Sequence, residues 1–250
     1  MMAASKPKVV ATIEARMTSS RLPGKVLLPA DGEPMLMHLV RRLRAVASID
    51  AIVIATTTNA SDEPIVEFAN AAGVLCHRGS EDDVLARVIG AGDMARAEVL
   101  VEITGDCPVI DPDLVEQTIQ MFFHHDVQYV SNSLIRSYPD GMDTQVMWLS
   151  ALKSSATMTN DRLDREHVSR FICRHPELFA RVHLVAPPSL HWPELALTLD
   201  EVSDYLLLKK IIEELAPVNP LFGCGDMIRL LRERPEWVEI NRKVVRKGDS

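Results

Sequence analysis

The sequence predicts an α/β protein in which a mainly parallel β-sheet is covered by helices on both faces. Short runs rich in β-branched and apolar residues alternate with segments whose apolar residues recur at helical spacing. Several of the runs, such as AIVIAT, are almost entirely apolar, as expected of strands buried on both faces. The chain has 250 residues, of which 47% are hydrophobic, so it can bury a core without a metal or a disulfide.

The first half of the chain alternates regularly between strand and helix. Strands are predicted at residues 8–14, 51–56, 74–77, 97–104 and 127–132. Helices are predicted between them at residues 34–48, 61–73, 82–96 and 111–125. Ser61 is a suitable N-cap, Gly73 a suitable helix end, and Pro112 suits a first helical turn.

The second half is less regular. After a turn-rich stretch, YPDGMD, we predict a strand at 144–149 and two helices, then strands at 182–188 and 194–199. Helices are predicted at 201–215 and 227–236. No repeat or flexible linker divides the chain, so residues 1–250 are interpreted as one domain with an insertion at 136–190.

Charge and cysteine content exclude several classes of protein. A net charge of −8 disfavours a general binder of nucleic acids or of anionic membranes. The four cysteines form no CxxC pair, which predicts reduced thiols in a cytoplasmic protein. No leader-like or membrane-spanning apolar stretch is found in the sequence.

The loop after the first strand is cationic although the chain is acidic. Its sequence, EARMTSSRLPGK at 14–25, offers Arg16, Arg21 and Lys25, three hydroxyls and the amides near Gly24, which together suit a polyphosphate. It matches neither a Walker A motif nor a GxGxxG fingerprint.

A second polar loop follows the strand at 97–104. Its residue Asp106 supplies an oxygen ligand of the kind that Mg²⁺ prefers. Loops at the carboxyl ends of parallel strands share one edge of the sheet, so the cations and this carboxylate are expected to meet. Together they predict a site for a nucleoside triphosphate with Mg²⁺.

The motifs resemble those of a known family. ARMTSSRLPGKVL is similar to the first loop of cytidylyltransferases of the spore coat polysaccharide biosynthesis protein F type, relatives of the CMP-Kdo and acylneuraminate cytidylyltransferases. The resemblance continues in order through IVIATTTNASDEPI, RGSEDDVL, ITGDCPVIDP, YVSN, YPDGMDTQV, REHVSRFI and LTLDEVSDYLLLKKI. It covers nearly the whole chain.

This resemblance implies a fold and an activity. The fold is the three-layer α/β/α nucleotide-diphospho-sugar transferase fold, which is Rossmann-like with a mainly parallel mixed sheet. The activity is transfer of CMP from CTP to a sugar acid, giving a CMP-sugar and pyrophosphate for polysaccharide or glycan biosynthesis. Relatives are homodimers that pair through the region corresponding to 136–190.

The resemblance also implies roles for individual residues. The triphosphate would be held by Arg16, Ser19, Arg21 and Lys25, and Mg²⁺ by Asp106 and Asp200. The cytosine would face Arg78, Gly79 and Ser80, with Thr56 and Thr57 on the same nucleotide side. The sugar pocket would be lined by Asn132, Asp140, Gly141, Asp143, Arg165, Glu166 and His167, and we hypothesise that Arg165 binds the acceptor carboxylate.

The chain departs from the family pattern at three positions. Glu14 stands where relatives usually have Gln, Thr18 where Gly is frequent, and Gln145 where an acid is common. The residues alone leave two readings of Asp200, a helix cap or a metal ligand, and the resemblance favours the metal ligand.

Other functions remain as alternatives. A glycosyltransferase on the same fold would use a DxD motif, a pattern that DPD at 111–113 has at a helix start. A sugar-1-phosphate nucleotidyltransferase would carry a glycine-rich first loop, and a non-catalytic nucleotide-binding protein would not need an intact RLPGK or Asp106. The acceptor is left open between octulosonates, nine-carbon sugar acids and a non-sugar acid.

Overall fold

A computed structural model describes residues 6–245 of the chain. Its strands are β1 (Val9–Glu14), β2 (Pro29–Ala30), β3 (Glu33–Pro34), β4 (Ala51–Thr57), β5 (Leu75–Gly79), β6 (Val99–Thr104), β7 (Tyr129–Ser131), β8 (Gln145–Trp148) and β9 (Arg181–His183). Its helices are α1 (Met35–Arg44), α2 (Glu63–Ala72), α3 (Val84–Met94), α4 (Pro112–His124), α5 (Leu149–Met158), α6 (Arg162–Glu166), α7 (Arg170–Arg174), α8 (Val202–Leu215), α9 (Cys224–Glu233) and α10 (Pro235–Val238).

A seven-stranded sheet in the order β5-β4-β1-β6-β8-β7-β9 forms the centre of the fold. The strands β5, β4, β1 and β6 are parallel, and β8 runs antiparallel to both of its neighbours. The chain moves outward from β1 to β4 and β5, then returns through α3 to β6 on the other side of β1. This reversal is a topological switch point, and it places the loops after β1 and β6 side by side.

Alternation along the strands sends side chains to both faces of the sheet. Val9, Ala11 and Ile13 of β1 are buried in one core cluster with residues of α1, α2 and α4. Val10 belongs to a second cluster with residues of α3, α5 and α7. Helices therefore cover both faces, and the predicted three-layer α/β/α fold class is confirmed.

A third core cluster packs α8 and α9 against the extended chain that precedes α8. Buried leucines at 195, 197 and 199 pack in it with residues of these two helices. The extended chain at 195–199 is therefore packed against these two helices. It leads directly to Asp200.

The structure differs from the sequence prediction at the ends of some elements. The predicted strand at 194–199 does not form. Leu197 donates its amide to Asp140, but the pairing with this segment is limited to one isolated bridge, at Ala196. The predicted helix at 227–236 starts earlier, at Cys224, and breaks before Pro235, whose ring cannot continue a helix. The strand predicted at 182–188 is limited to Arg181–His183.

One small hairpin was not predicted. The strands β2 and β3 pair around Asp31 and Gly32, which have φ angles of 46° and 75°. An Asp-Gly pair is a strong signal for such a turn, but its strands have only two residues each.

The segment 136–190 extends the central sheet. It carries β8, α5, α6, α7 and β9, and β8 pairs with both β6 and β7. Within the described residues, no helix has the length and apolar character to cross a bilayer. The cysteines Cys76, Cys107, Cys173 and Cys224 are free.

Candidate active site

The loop after β1 is shaped by its own backbone. Gly24 adopts a left-handed conformation with φ of 70°, and its amide donates to the carbonyl of Met17 at 2.9 Å. The hydroxyl of Ser19 accepts the amide of Leu22 at 3.4 Å, and Lys25 begins a short 3₁₀ turn. The tight turn holds Arg21 and Lys25 close to the carboxyl edge of the sheet.

Asp62 anchors this loop to the neighbouring strand. Its Oδ1 accepts the amide of Met17 at 2.7 Å, and its Oδ2 accepts the hydroxyls of Thr56 and Thr57 and the amide of Thr57. Asp62, Thr56 and Thr57 are fully buried. The two threonines therefore contact the loop anchor, and Asp62 is a positioning residue that the sequence analysis missed.

Lys25 lies between two carboxylates. Its Nζ is 2.9 Å from Oδ1 of Asp200 and 3.5 Å from Oδ2 of Asp106. Asp106 is oriented by the hydroxyl of Thr104, which donates to its Oδ1 at 2.5 Å, and its carbonyl accepts the amide of Leu199 at 2.8 Å. The loop after β1, the loop after β6 and the segment before α8 thus meet at one ammonium group.

Arg21 adds a second cation to the same cluster. Its guanidinium is 2.9 Å from Asp200 and 3.7 Å from Glu201, and its Nη1 donates to the carbonyl of Val245 at 3.2 Å. Asp204 caps the start of α8 by accepting the amides of Asp200 and Glu201. The carboxylate of Asp200 faces the cations, and Asp204 has the capping role.

Asp111 has a structural role. It caps α4 by accepting the amide of Asp113 at 2.8 Å, and its other oxygen accepts the amide of Cys224 at 2.7 Å. Both oxygens of this carboxylate are therefore engaged by backbone amides. This removes the main support for a DxD metal motif at 111–113.

Asp106 and Asp200 suit a magnesium ion better than a metal with many protein ligands. Among residues 6–245, no group of three or more His, Cys, Asp or Glu side chains is placed to hold a metal. Mg²⁺ commonly binds through one or two carboxylates and takes its other ligands from substrate phosphates and water. Two carboxylates that already share one cation, Lys25, fit that ligand set.

A third group of residues connects the first loop to the segment after β5. Glu81 accepts hydrogen bonds from Arg16 at 2.9 Å, Thr18 at 2.7 Å and Asn59 at 2.6 Å. The hydrogen bonds from Thr18 and Asn59 lower the pKa of Glu81. Glu81 was not predicted, and it accepts hydrogen bonds from two side chains of the loop after β1.

The residues predicted to face the base are the last two residues of β5 and the residue that follows it. Arg78 donates to the carbonyls of Thr57 at 3.0 Å and Asn59 at 2.9 Å. A Cβ on Gly79 would lie 3.0 Å from a side-chain carbon of Arg87, so glycine allows the close approach. The hydroxyl of Ser80 accepts the amide of Asp83 at 3.1 Å.

Comparison with known proteins decides the family. A family model described as cytidylyltransferase matches residues 10–212, which is most of the chain. The chain belongs to the cytidylyltransferase family. The spore coat polysaccharide biosynthesis protein SpsF of Bacillus subtilis is 32% identical to it over 229 residues, covering 90% of this chain and 94% of that protein.

Solved structures support the same assignment. A cytidylyltransferase from Leptospira borgpetersenii serovar Hardjo-bovis superimposes with a TM-score of 0.89 at 26% identity, covering 97% of this chain and 100% of that chain. A CMP:2-keto-3-deoxy-manno-octonic acid synthetase complexed with CTP shares the fold, with a TM-score of 0.60 at 18% identity and coverage of 83% and 99%. The predicted family and CTP-dependent enzyme class are confirmed.

The acceptor residues predicted for this cytidylyltransferase fall into two groups. In the first, Asn132 is buried and connects the two ends of the loop 132–144. Its side chain donates to the carbonyl of Met142 and accepts the amide of Thr144, each at 2.7 Å. Gly141 has φ of 97°, and a Cβ there would lie 2.7 Å from the backbone of Leu197. Asp140 and Asp143 both bind Arg136, at 3.1 Å and 2.9 Å.

The second group lies beside α3 of the cytidylyltransferase. Arg165 forms an ion pair with Asp83 and donates to the carbonyl of Ala156 at 3.1 Å. Glu166 is the last residue of α6, and His167 is exposed just after it. The guanidinium of Arg165 is therefore already paired with an acid.

Two buried carboxylates lie on adjacent strands of the sheet. Glu14 on β1 and Glu102 on β6 point to the same face, and each has a buried carboxylate oxygen without a hydrogen-bond partner. Burial, then the charge of Glu102, raises the pKa of Glu14 well above its usual value. Burial, then the charge of Asp143, raises the pKa of Glu102 to about 8. Gln145, opposite Glu102, accepts the hydroxyl of Tyr129 at 2.5 Å.

Glu102→Gln is expected to change the pH dependence of stability. The folded protein holds the Glu102 proton up to about pH 8, whereas the unfolded chain releases it near pH 4.5. Between these values the folded state binds more protons, so wild-type stability falls as pH rises. The amide cannot ionise, so the variant should gain on the order of 3 kcal/mol over wild type at pH 8 relative to pH 5.

Thermal unfolding of both proteins from pH 5 to 8 measures this effect. Glu67→Gln, at an exposed position of α2, is the control and should keep the wild-type slope. Parallel curves for Glu102→Gln and wild type would contradict the prediction.

Proposed function

We propose that this cytidylyltransferase transfers CMP from CTP to a 2-keto sugar acid, releasing pyrophosphate and forming a CMP-sugar for a surface polysaccharide or glycan. The observation that carries the proposal is the cluster of Lys25, Arg21, Asp106 and Asp200 at the switch point of the sheet. The names of its relatives, a spore coat polysaccharide biosynthesis protein and a synthetase acting on 2-keto-3-deoxy-manno-octonic acid, support a sugar acid as the acceptor.

The chemistry requires positioning and neutralisation of charge. An acceptor hydroxyl attacks the α-phosphorus of CTP in line, its oxygen forms the new P–O bond, and the bond to pyrophosphate breaks. Arg21 and Lys25 would offset the charge that develops on pyrophosphate, with Arg16 and Ser19 of the same loop binding the remaining phosphate oxygens. The end of β5, with Arg78, Gly79 and the following Ser80, would face the cytosine.

Asp106 and Asp200 would hold Mg²⁺ in this proposal. The ion would polarise the α-phosphate and offset charge in the transition state. Lys25, which both carboxylates bind in the structure described here, is then available to the phosphates.

Calorimetric titration tests the nucleotide part of the proposal. CTP, UTP, ATP and GTP are titrated with and without Mg²⁺, and CTP is expected to bind selectively and more tightly with Mg²⁺. Lys25→Ala should weaken CTP binding by about 10- to 100-fold, because an ammonium–phosphate contact is a charge-assisted hydrogen bond. Lys153→Ala is the control, since Lys153 pairs with Asp93 at an exposed position of α5. Absence of CTP binding, or equal binding of all four nucleotides, would contradict the proposal.

Pyrophosphate release tests the acceptor part. The panel contains 2-keto-3-deoxy-manno-octonate and N-acetylneuraminate, with CTP and Mg²⁺ present throughout. Turnover of at least one acid supports the proposed acceptor class. CTP binding without turnover of either acid would keep the nucleotide assignment and reject this acceptor class.

We also propose that the enzyme is cytoplasmic and that it forms a homodimer. The two subunits would pair through residues 136–190. Large apolar side chains are exposed in this segment at Met158, Leu163, Leu178 and Val185. Such side chains favour association when they lie at a subunit interface. Sedimentation velocity measures the state directly, and a monomer at micromolar concentration would reject the dimer.

A further inference from the structure

A polar cleft is lined by segments that contact the residues of the site. Its volume is about 300 Å³, and its lining includes Arg136, Asp140, Glu194, Asn241, Arg242 and Val244. Three parts of the chain form its walls: the loop before β8, the segment before Asp200 and the stretch after α10. A volume of this order suits a ligand the size of one sugar.

Two sets of contacts connect the cleft walls to the catalytic residues. Asp140 donates its amide to Leu195 at 2.9 Å and accepts that of Leu197 at 2.8 Å, and two residues further on the amide of Leu199 donates to Asp106. On the other wall, the carbonyl of Val245 accepts a hydrogen bond from Arg21. The walls of the cleft are therefore connected by hydrogen bonds to the residues proposed to hold the triphosphate and the metal.

The C-terminal wall is anchored by Asn241. Its side-chain amide donates to the carbonyl of Ala196 at 3.0 Å and to Oδ1 of Asp204 at 2.8 Å, and it is buried. The neighbouring side chains Arg242 and Val244 line the cleft. The match to the family model ends at residue 212, so this wall lies outside the part of the chain that the family model covers.

The lining has both charge signs. Arg136 uses only Nη1 for its hydrogen bonds to Asp140 and Asp143, so Nε and Nη2 donate to no described residue. Arg242 supplies a second guanidinium, and Asp140 and Glu194 supply carboxylates. Guanidinium groups bind a carboxylate in a fork, whereas carboxylates accept hydrogen bonds from hydroxyls. A sugar acid presents both of these groups.

We propose that this cleft is the acceptor subsite, with Arg136 binding the acceptor carboxylate and the wall at 238–244 selecting the acceptor. This inference rests on the proposed function and locates its second substrate, the acceptor, in the cleft. It replaces Arg165 as the carboxylate ligand, since both terminal nitrogens of Arg165 are engaged, by Ala156 and Asp83, whereas Arg136 uses only Nη1. The residues of the wall at 238–244 then determine which acceptor the enzyme uses.

Blocking the cleft is the first test. Val244→Trp places an indole at a cleft-lining position outside the core, and Val218→Trp places the same side chain at a site that is 87% exposed and outside the cleft lining. For the acid that wild type uses best, Val244→Trp should raise KM about 30-fold or abolish turnover, while the calorimetric Kd for CTP stays within about twofold. Val218→Trp should behave as wild type in both measurements.

Two arginine variants then identify the carboxylate ligand. Arg136→Ala should raise the acceptor KM at least about tenfold with little change in the Kd for CTP, and Arg165→Ala should leave KM within about threefold. An unchanged acceptor KM in both Val244→Trp and Arg136→Ala, in an enzyme that turns over the acid, would overturn the assignment of the cleft alone. CTP binding without turnover of either acid would overturn the acceptor class and this subsite together.

Discussion

Asp106→Asn is expected to lower kcat by about a thousandfold without unfolding the protein, because it removes charge from the point where three loops meet. The amide is nearly isosteric, and it can still accept the hydroxyl of Thr104. Lys25 keeps its shorter contact with Asp200, so the ion pair that holds the cluster is retained. A neutral oxygen is a much weaker ligand for Mg²⁺ than a carboxylate, so the Mg²⁺ dependence of CTP binding should also weaken.

Pyrophosphate release with the best acceptor of the panel measures this loss, and calorimetry with and without Mg²⁺ measures the change in CTP binding. Asp113→Asn is a matched control, since Asp113 is an exposed acid in the first turn of α4. It should retain wild-type kcat. If Asp106→Asn kept kcat within about tenfold of wild type, a metal or phosphate role for Asp106 would be rejected.

The proximity of Arg21, Lys25 and Asp106 could be predicted from sequence, because each of them follows a predicted strand. Arg21 and Lys25 come after the first apolar strand, and Asp106 comes after the strand at 97–104. Parallel strands bring their carboxyl ends to one edge whatever the details of packing. Asp200 needed the family resemblance, because its position before a helix equally suits a cap.

The residues that hold the site in place could not be predicted in the same way. Asp62 is 45 positions from Met17, and Glu81 is 65 positions from Arg16. A single carboxylate in a loop carries no pattern that names such a distant partner. The pairing of Arg165 with Asp83 depends on how α6 packs near α3, which the sequence does not fix by periodicity.

Asp62→Ala is expected to destabilise the protein by about 3 kcal/mol and to weaken CTP binding about tenfold. Asp62 is fully buried and accepts hydrogen bonds from the amides of Met17 and Thr57 and from the hydroxyls of Thr56 and Thr57. Removing the acceptor leaves buried donors without a partner, which costs more than the bonds contribute net. For a protein of this size the loss corresponds to a fall in Tm of about 10 °C.

CTP binding must be measured well below the Tm of the variant, so that loss of the fold is not mistaken for loss of the loop. Glu67→Ala, at an exposed position of α2, the helix that begins just after Asp62, is the control and should keep both the wild-type Tm and the wild-type Kd. Met17 lies in the loop after β1, a few residues before Arg21 and Lys25, so releasing its amide should disorder the backbone of that loop. A folded Asp62→Ala protein that binds CTP as tightly as wild type would show that the tight turn at Gly24 alone positions Arg21 and Lys25. A loss of affinity in the folded protein would show that the strand β4 contributes to the site through this one buried carboxylate.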